Sequence, residues 1–512
     1  MNTLNIAKIK QVFLVMLLAG TIGVIGCKKG TFDINSPNPN APAPSTVPPK
    51  FTLSAALAQT ASLVFGGNGD ILNVFMGYWT TSGGYTPSPV YAAYQLTSGT
   101  ASGNFDDAYL AAGNYQSIIN ATNTDATQVN YKAVALIMKS FIFQRVVDLY
   151  NNVPYSQAFN SSNLAPKYDD AASIYPDLIA KLDTAIGYLK NAGLNALPLD
   201  KKYDVLFAGD LTKWQKFANT LKLKMVMRLS KTANGPALAA TELAGLTPGS
   251  FLGAGEDAGI NPGYSAAADN QENPYYLDVN STASGSGGLN RAYWRACAYS
   301  VNFYKRFNDP RLYNLYENKK SGVWGLDLGT LVVASNDSIS GVFGTAYAGS
   351  PKQSAYILPA AESFFLQAEA AARGYLSGVD AGTAYRAGVE ESFNITGTQY
   401  AAYSTRLSAD KFMDSVNAGA KLVDWSAVTS ADDKLTLIIT QKWAALNAVD
   451  PLEAYGDYRR LGIPSNLPVS IAPQNTQTHI PYRLIYPTSE LSYNAANVPA
   501  GADINSKIFW MP

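Results

Sequence analysis

The stretch Ala208-Gly209-Asp210-Leu211-Thr212-Lys213-Trp214-Gln215-Lys216-Phe217-Ala218-Asn219-Thr220-Leu221-Lys222-Leu223-Lys224 reads as the opening of a helix. Leu211, Trp214, Ala218, Leu221, Met225 and Leu229 recur at intervals of three and four and form one apolar stripe, with Lys213, Lys216 and Lys224 elsewhere around the helix. Asp210 stands just before the stripe, where a carboxylate can accept from the unpaired N–H groups of a first turn. The same period extends outward in both directions. In 131–150 the residues Val134, Ile137, Met138, Phe141, Ile142, Val146 and Leu149 predict a helix with one buried face. Further helices are expected over 173–189, 381–393 and 356–373, the last stopped by Gly374, and over 435–446 behind the capping-box spacing of Ser430 and Asp433.

Two long irregular regions, 234–298 and 319–355, separate these helices and are rich in Gly, Ala, Ser, Asn and aromatics. Loops of that length in a compact domain usually carry function. No Pro/Gly linker divides the chain after its first fifty residues, so 51–512 reads as one mostly α domain.

The N-terminal end reads differently. Lys8 and Lys10 precede an apolar run over 12–25, the layout of a secretory signal. The run falls short of the ~20 residues a membrane-crossing helix needs. It ends in Val24-Ile25-Gly26-Cys27, which resembles the lipobox of bacterial lipoproteins, although Ile25 departs from the small residue usual there. The expectation is a signal peptide over 1–26 and lipidation of Cys27, with cleavage nearby by an ordinary signal peptidase as the alternative. Acyl chains at ~0.8 kcal/mol per buried methylene would then hold the protein on a membrane. Pro37, Pro39, Pro42, Pro44, Pro48 and Pro49 make 27–50 a tether that cannot be helical. The only other cysteine is Cys297, so a lipidated Cys27 leaves no intrachain disulfide.

Lys plus Arg and Asp plus Glu both number 38, so net charge is zero and the basic footprint of a nucleic-acid binder is missing. The 32 tyrosines suit polar, uncharged ligands instead.

Four segments together resemble the SusD/RagB family of Bacteroidota outer-membrane lipoproteins, in its SusD-like branch. The 208–224 stretch is similar to that family's G-D-x-x-K-W-x-K-F-A-N-S-L-x-L-R helix. Asp148-Leu149-Tyr150-Asn151-Asn152-Val153-Pro154-Tyr155-Ser156 resembles its D-x-Y-G-D-V-P-Y-S turn, with Asn151 in place of Gly. Ala361-Glu362-Ser363-Phe364-Phe365-Leu366-Gln367-Ala368-Glu369-Ala370 and Tyr486-Pro487-Thr488-Ser489-Glu490-Leu491-Ser492-Tyr493-Asn494 resemble its A-E-x-x-F-L-x-A-E-A and Y-P-x-S-E-x-S-Y-N motifs. The resemblance implies tetratricopeptide-like helix pairs as scaffold, long loops carrying the ligand surface, and a lid over a SusC-like TonB-dependent outer-membrane transporter to which glycans are passed. A minority of that family handles peptides.

The candidate ligand surface is drawn from aromatics in the loops. Trp79, Tyr85, Tyr91 and Tyr94 lie in a segment broken by Gly83, Gly84, Pro87 and Pro89; Tyr275, Tyr276, Tyr293 and Trp294 lie in the first irregular region and Trp324 in the second. Sugar rings stack their C–H faces on such side chains, and Asn73, Asn273, Asn290 and Arg291 stand nearby in sequence to bond hydroxyls. Trp214 and Trp443, on helical stripes, read as core. Glu362 and Glu369 fall on one helical face, yet a glycosidase on a helical scaffold needs two carboxylates flanking the bond, one of raised pKa. Inside a scaffold motif they read as salt-bridging residues. The single histidine, His479, has no nucleophile context around it and reads as structural or exposed. Glu256, Asp257 and Asp269 offer oxygen ligands but match no calcium loop. No metal or other cofactor is expected.

Overall fold

The computed structural model describes residues 47–82, 89–330, 338–398 and 408–512. Cys27, the signal segment, most of the tether, Tyr85 and the Gly83-Gly84 and Pro87 breaks lie outside the described residues. Among the described residues there are seventeen α-helices and three two-stranded antiparallel sheets, so the fold is mostly α as expected. Nine helices carry the architecture: α1 (Pro49–Phe65), α2 (Gly103–Thr122), α3 (Val129–Tyr150), α4 (Ala171–Lys190), α5 (Leu211–Arg228), α6 (Ala360–Ala372), α7 (Ala381–Ile395), α8 (Ala431–Ala445) and α9 (Pro451–Leu461).

Their ends follow local chemistry. Asp210 accepts from Thr212 N and Lys213 N at 2.9 and 3.1 Å and opens α5. Ser430 accepts from Asp433 N at 3.1 Å and opens α8. Gly374, at φ +76°, takes the left-handed conformation that stops the chain after α6. The helix expected over 356–373 is shorter than its pattern, because Ala355–Leu358 is a strand and Pro359 supplies the N-cap of α6.

Helices α1 to α5 pack each on the next, and α6, α7 and α8 pack on one another, in the manner of tetratricopeptide-like pairs. Packing from several sides explains why α3 departs from the one-faced helix its stripe predicts: Gln144, Arg145 and Asp148 are buried as well as the apolar residues, since α3 touches α1, α2, α4 and α5. A large core lies among α1 to α5 and the loops against them, and a smaller one around Phe365, Tyr385, Phe393, Phe412, Leu437 and Ile438 joins α6, α7 and α8. Residues Pro49–Pro512 pack as one unit. No helix of the described residues is long and apolar enough to cross a membrane.

A buried ion network ties α5 to its neighbours. Lys224 Nζ lies 2.5 Å from Glu362 of α6 and 3.3 Å from Asp450, while Arg228 pairs with Asp148 of α3 at 3.0 Å and with Glu453 of α9 at 2.5 Å. Lys442 of α8 reaches Glu453 and Asp457 at 2.6 and 3.0 Å, and Arg460 joins Asp457 to Glu369 at 2.7 and 2.5 Å. Lys224 is therefore not a solvated residue of the polar side of its helix but a buried cation at the scaffold's centre.

Candidate ligand-binding site

The small sheets gather the loops. β1 (Trp79–Thr81) pairs with a strand at Trp294–Ala296, Thr81 opposite Trp294 and Trp79 opposite Ala296. Ser82 N donates to Tyr293 O at 2.7 Å and continues the ladder. On the other side Ala296 N donates to Ser340 O, Leu326 N to Ala296 O, and Ala298 N to Leu326 O, each at 2.9 Å. Three loops distant in sequence thus meet along one edge, and five of the aromatics expected in them, Trp79, Tyr91, Tyr275, Tyr293 and Trp294, come together.

Their rings form a chain. Trp79 and Trp294 have centroids 5.8 Å apart, Trp79 and Tyr275 6.1 Å, Tyr91 and Trp294 5.4 Å, Tyr91 and Tyr293 6.5 Å, and Tyr293 and Trp294 4.6 Å. Within the chain, exposure is graded. Trp79 and Trp294 are 1% and 2% exposed, and Tyr94 and Tyr275 are also buried, so these four offer no ring face to a ligand; they are the floor. Tyr91, Tyr276 and Tyr293 are half-buried and hold the rim. Trp324 is 47% exposed and has Lys305 Nζ 4.1 Å from its ring centroid. Its backbone is fixed by Ser340, whose hydroxyl accepts from Trp324 N at 3.1 Å.

The polar candidates are mostly committed to the protein. Asn73 is buried, donating to Gly69 O and accepting from Ala448 N. Asn273 caps the short helix Pro274–Val279, accepting from Tyr275 N and Tyr276 N and donating to Gln353 O. These two asparagines hold the backbone under the aromatics and are buried away from any ligand surface. Asn290 donates to Asp278 at 2.7 Å, and Arg291 lies over Phe343 at 3.9 Å while donating to Asn280 O. Both are partly exposed.

Sequence reading missed what braces the floor. Trp294 Nε1 donates to Asp70 at 2.6 Å. Burial, the neighbouring Asp278 carboxylate, and only the single indole donor in opposition hold Asp70 well above the usual carboxylate range. Burial likewise pushes Asp278 to about 6 against the Asn290 bond. Two buried carboxyls thus face each other below Trp294. Also missed is a cleft of about 330 Å³ on another side of the helix that carries Lys305, lined by Tyr299, Asn302, Phe303, Arg306 and Pro464. Nothing in the periodicity marks either feature, because both arise from contacts between distant segments.

The remaining candidates have structural partners. Glu362 and Glu369 are completely buried, paired to Lys224 and Arg460, and no surface on which a glycosidic bond could lie reaches them. Burial raises Glu362 to about 8 in spite of Lys224. Burial would raise Glu369 too, but the Arg460 guanidinium, by charge and hydrogen bond, holds it at about 2. His479 stacks on Tyr482 with centroids 4.3 Å apart. Glu256 binds Lys216 at 2.9 Å, Asp257 accepts from Ala360 N at 2.8 Å and Asp269 from Ser284 N at 2.8 Å, three separate roles in three places. Trp214 and Trp443 are core residues.

Solved structures share this fold. A SusD-like protein from Bacteroides thetaiotaomicron VPI-5482 is 22% identical with a TM-score of 0.71, covering 91% of this chain and 99% of its own. A chitin-binding SusD homologue from Flavobacterium johnsoniae is 23% identical with a TM-score of 0.72, covering 90% and 98%. A SusD homologue from Bacteroides fragilis NCTC 9343 is 20% identical with a TM-score of 0.71, covering 91% and 99%. Comparison with curated protein sequences found no match. A family model described as SusD-like, starch-binding and associating with the outer membrane, matches residues 39–487. The helical scaffold, the four sequence motifs and that match over most of the chain agree, and the protein belongs to the SusD-like family.

Proposed function

We propose that this protein is a glycan-binding lipoprotein of the outer membrane that captures an oligo- or polysaccharide at the cell surface and delivers it to a SusC-like TonB-dependent transporter. The observation that carries the reading is the family match over 39–487, whose description is starch-binding and outer-membrane-associated. The aromatics support it: half-buried Tyr91 and Tyr293 pack at the meeting point of the loops over a floor rigidified by Trp79, Tyr275 and Trp294, and Trp324 and Tyr276 add partly exposed rings on the same loops. Rigid aromatic faces take sugar C–H surfaces with little ordering cost. Lipid on Cys27 is the anchor in this reading, and the proline-rich segment behind it lets the body swing over a transporter mouth.

The test is to incubate the mature protein with a polysaccharide panel and follow both binding and new reducing ends. Saturable binding without new reducing ends is expected. Release of reducing ends would make it a hydrolase, and binding confined to peptides would move it to the family's peptide-capturing minority.

A further inference from the structure

A second concave site lies on the helical scaffold, away from the aromatic rim. Between α2, α3 and α4 a cleft of about 370 Å³ is lined by Lys132, Lys139, Lys181, Tyr155 and Tyr188, with Gln116, Ser140 and Thr184 supplying an amide and two hydroxyls. Three lysines therefore line one cavity, and Lys139 and Lys181 are close enough to repel each other. The charge facing them from the packed elements is small. Asp177 of α4 pairs with Lys181 at 3.6 Å and accepts from the Tyr155 hydroxyl, and no carboxylate is among the residues that line the cleft. Among the described residues neither Lys132 nor Lys139 forms an ion pair.

Lys139 is the centre of the arrangement. Its Nζ donates to Gln116 Oε1 at 2.6 Å and sits 5.6, 5.8 and 5.2 Å from the ring centroids of Phe143, Tyr155 and Phe159. Rings and a neutral amide orient the cation but do not neutralise it. Lys132 likewise lies 5.7 Å from the Tyr188 ring. Three cations answered by one carboxylate, inside a cavity walled by helices, form a receptor for negative charge.

We propose that this cleft binds a small oxyanion, a sulfate or a carboxylate such as an acidic sugar carries, with Lys132, Lys139 and Lys181 as its charged ligands and the Gln116 amide and Ser140 hydroxyl as neutral donors. A protonation signature accompanies it. Burial and the neighbouring Lys181, against Asp177, lower Lys139 to about 8, so in the empty cleft it is part deprotonated at mildly alkaline pH. A bound anion restores the charged form, and binding there takes up protons.

Titration calorimetry of the mature protein at constant ionic strength, with sodium sulfate, sodium glucuronate and neutral glucose as probes, tests the proposal. Saturable binding of sulfate or glucuronate, and none of glucose at this site, is expected. Lys181→Gln, a surface change that leaves the helices packed, should weaken the anion at least about tenfold. Near pH 8, repeating the titration in buffers of different ionisation enthalpy should show proton uptake that Lys139→Arg abolishes, with affinity kept within about threefold, because arginine stays charged throughout. Absence of saturable anion binding overturns the proposal, and so does binding that the Lys181→Gln and Lys139→Gln variants leave unchanged.

Discussion

At Trp324 the indole is 47% exposed with Lys305 on one face, whereas at Trp79 it is 1% exposed and wedged against Trp294 and Tyr275. Truncation at the two positions should therefore be read by different instruments. Trp324→Ala is expected to cost about 1–3 kcal/mol of glycan affinity, by analogy with stacking of nucleic-acid bases on aromatics, and to leave the melting temperature in place. Trp79→Ala is expected to cost about 3–5 kcal/mol of folding stability through the cavity it leaves. Calorimetry and denaturant unfolding of both variants check the pair, and unaltered glycan binding in Trp324→Ala would remove it from the contact surface. Glu369 belongs to this scale as well. Its carboxyl is held at about 2 in the fold against an ordinary 4.5, so its contribution is complete above about 4.5 and is lost as pH falls toward 2. Glu369→Gln should destabilise by about 3–5 kcal/mol at neutral pH, since buried Arg460 is then left with Asp457 alone and Arg373 loses its carboxylate, and should flatten the acid limb of a stability-versus-pH curve.

Among the elements, α5 bears the most consequence. One side carries Trp214, Phe217 and Leu221 into the large core, and its C-terminal half carries Lys224 and Arg228 into the ion network with α3, α6 and α9. Gly456 lets α9 approach closely enough for that network to close, because a Cβ there would land on the Arg228 guanidinium. Gly456→Ala is expected to displace Arg228 from Asp148 and Glu453 and to cost on the order of 3–5 kcal/mol, whereas Asp210→Ala, which removes only the cap of α5, should cost about 1 kcal/mol. Urea midpoints of the two variants, compared with the wild type, give the ordering directly; equal effects would mean that the close approach of α9 is not what closes the network.

For the whole molecule, the proposed capture and delivery require an anchor and a partner. Cys27→Ser is expected to abolish fatty-acid labelling and to release the protein from the membrane fraction, and continued labelling would reassign the anchor. Purification from native membranes is expected to bring a barrel transporter with it. That association should survive Trp324→Ala, because the change sits on a loop surface and leaves the scaffold helices as they are.

Helix positions were legible because amphipathic spacing and caps are local: Asp210, Ser430 and Gly374 act within a turn of where they stand. The family motifs were legible for the same reason, being contiguous. Aromatics in the loops could be nominated from composition and loop context, and the paired strands at Trp79–Thr81 and Trp294–Ala296 bring Trp79 and Trp294 together, with Tyr91, Tyr275 and Tyr293 against them. Which of them faces solvent was decided only by tertiary packing. A tryptophan's exposure depends on what other segments lay over it, and Trp79 is covered by Trp294 and Tyr275, residues some two hundred positions away, while the Trp324 ring, with Lys305 against it, stays 47% exposed. Buried charge obeys the same logic. Lys224 looks solvated on its own helix, and only the arrival of Glu362, Asp450 and Glu453 from later in the chain lets a cation sit in the core instead of in water.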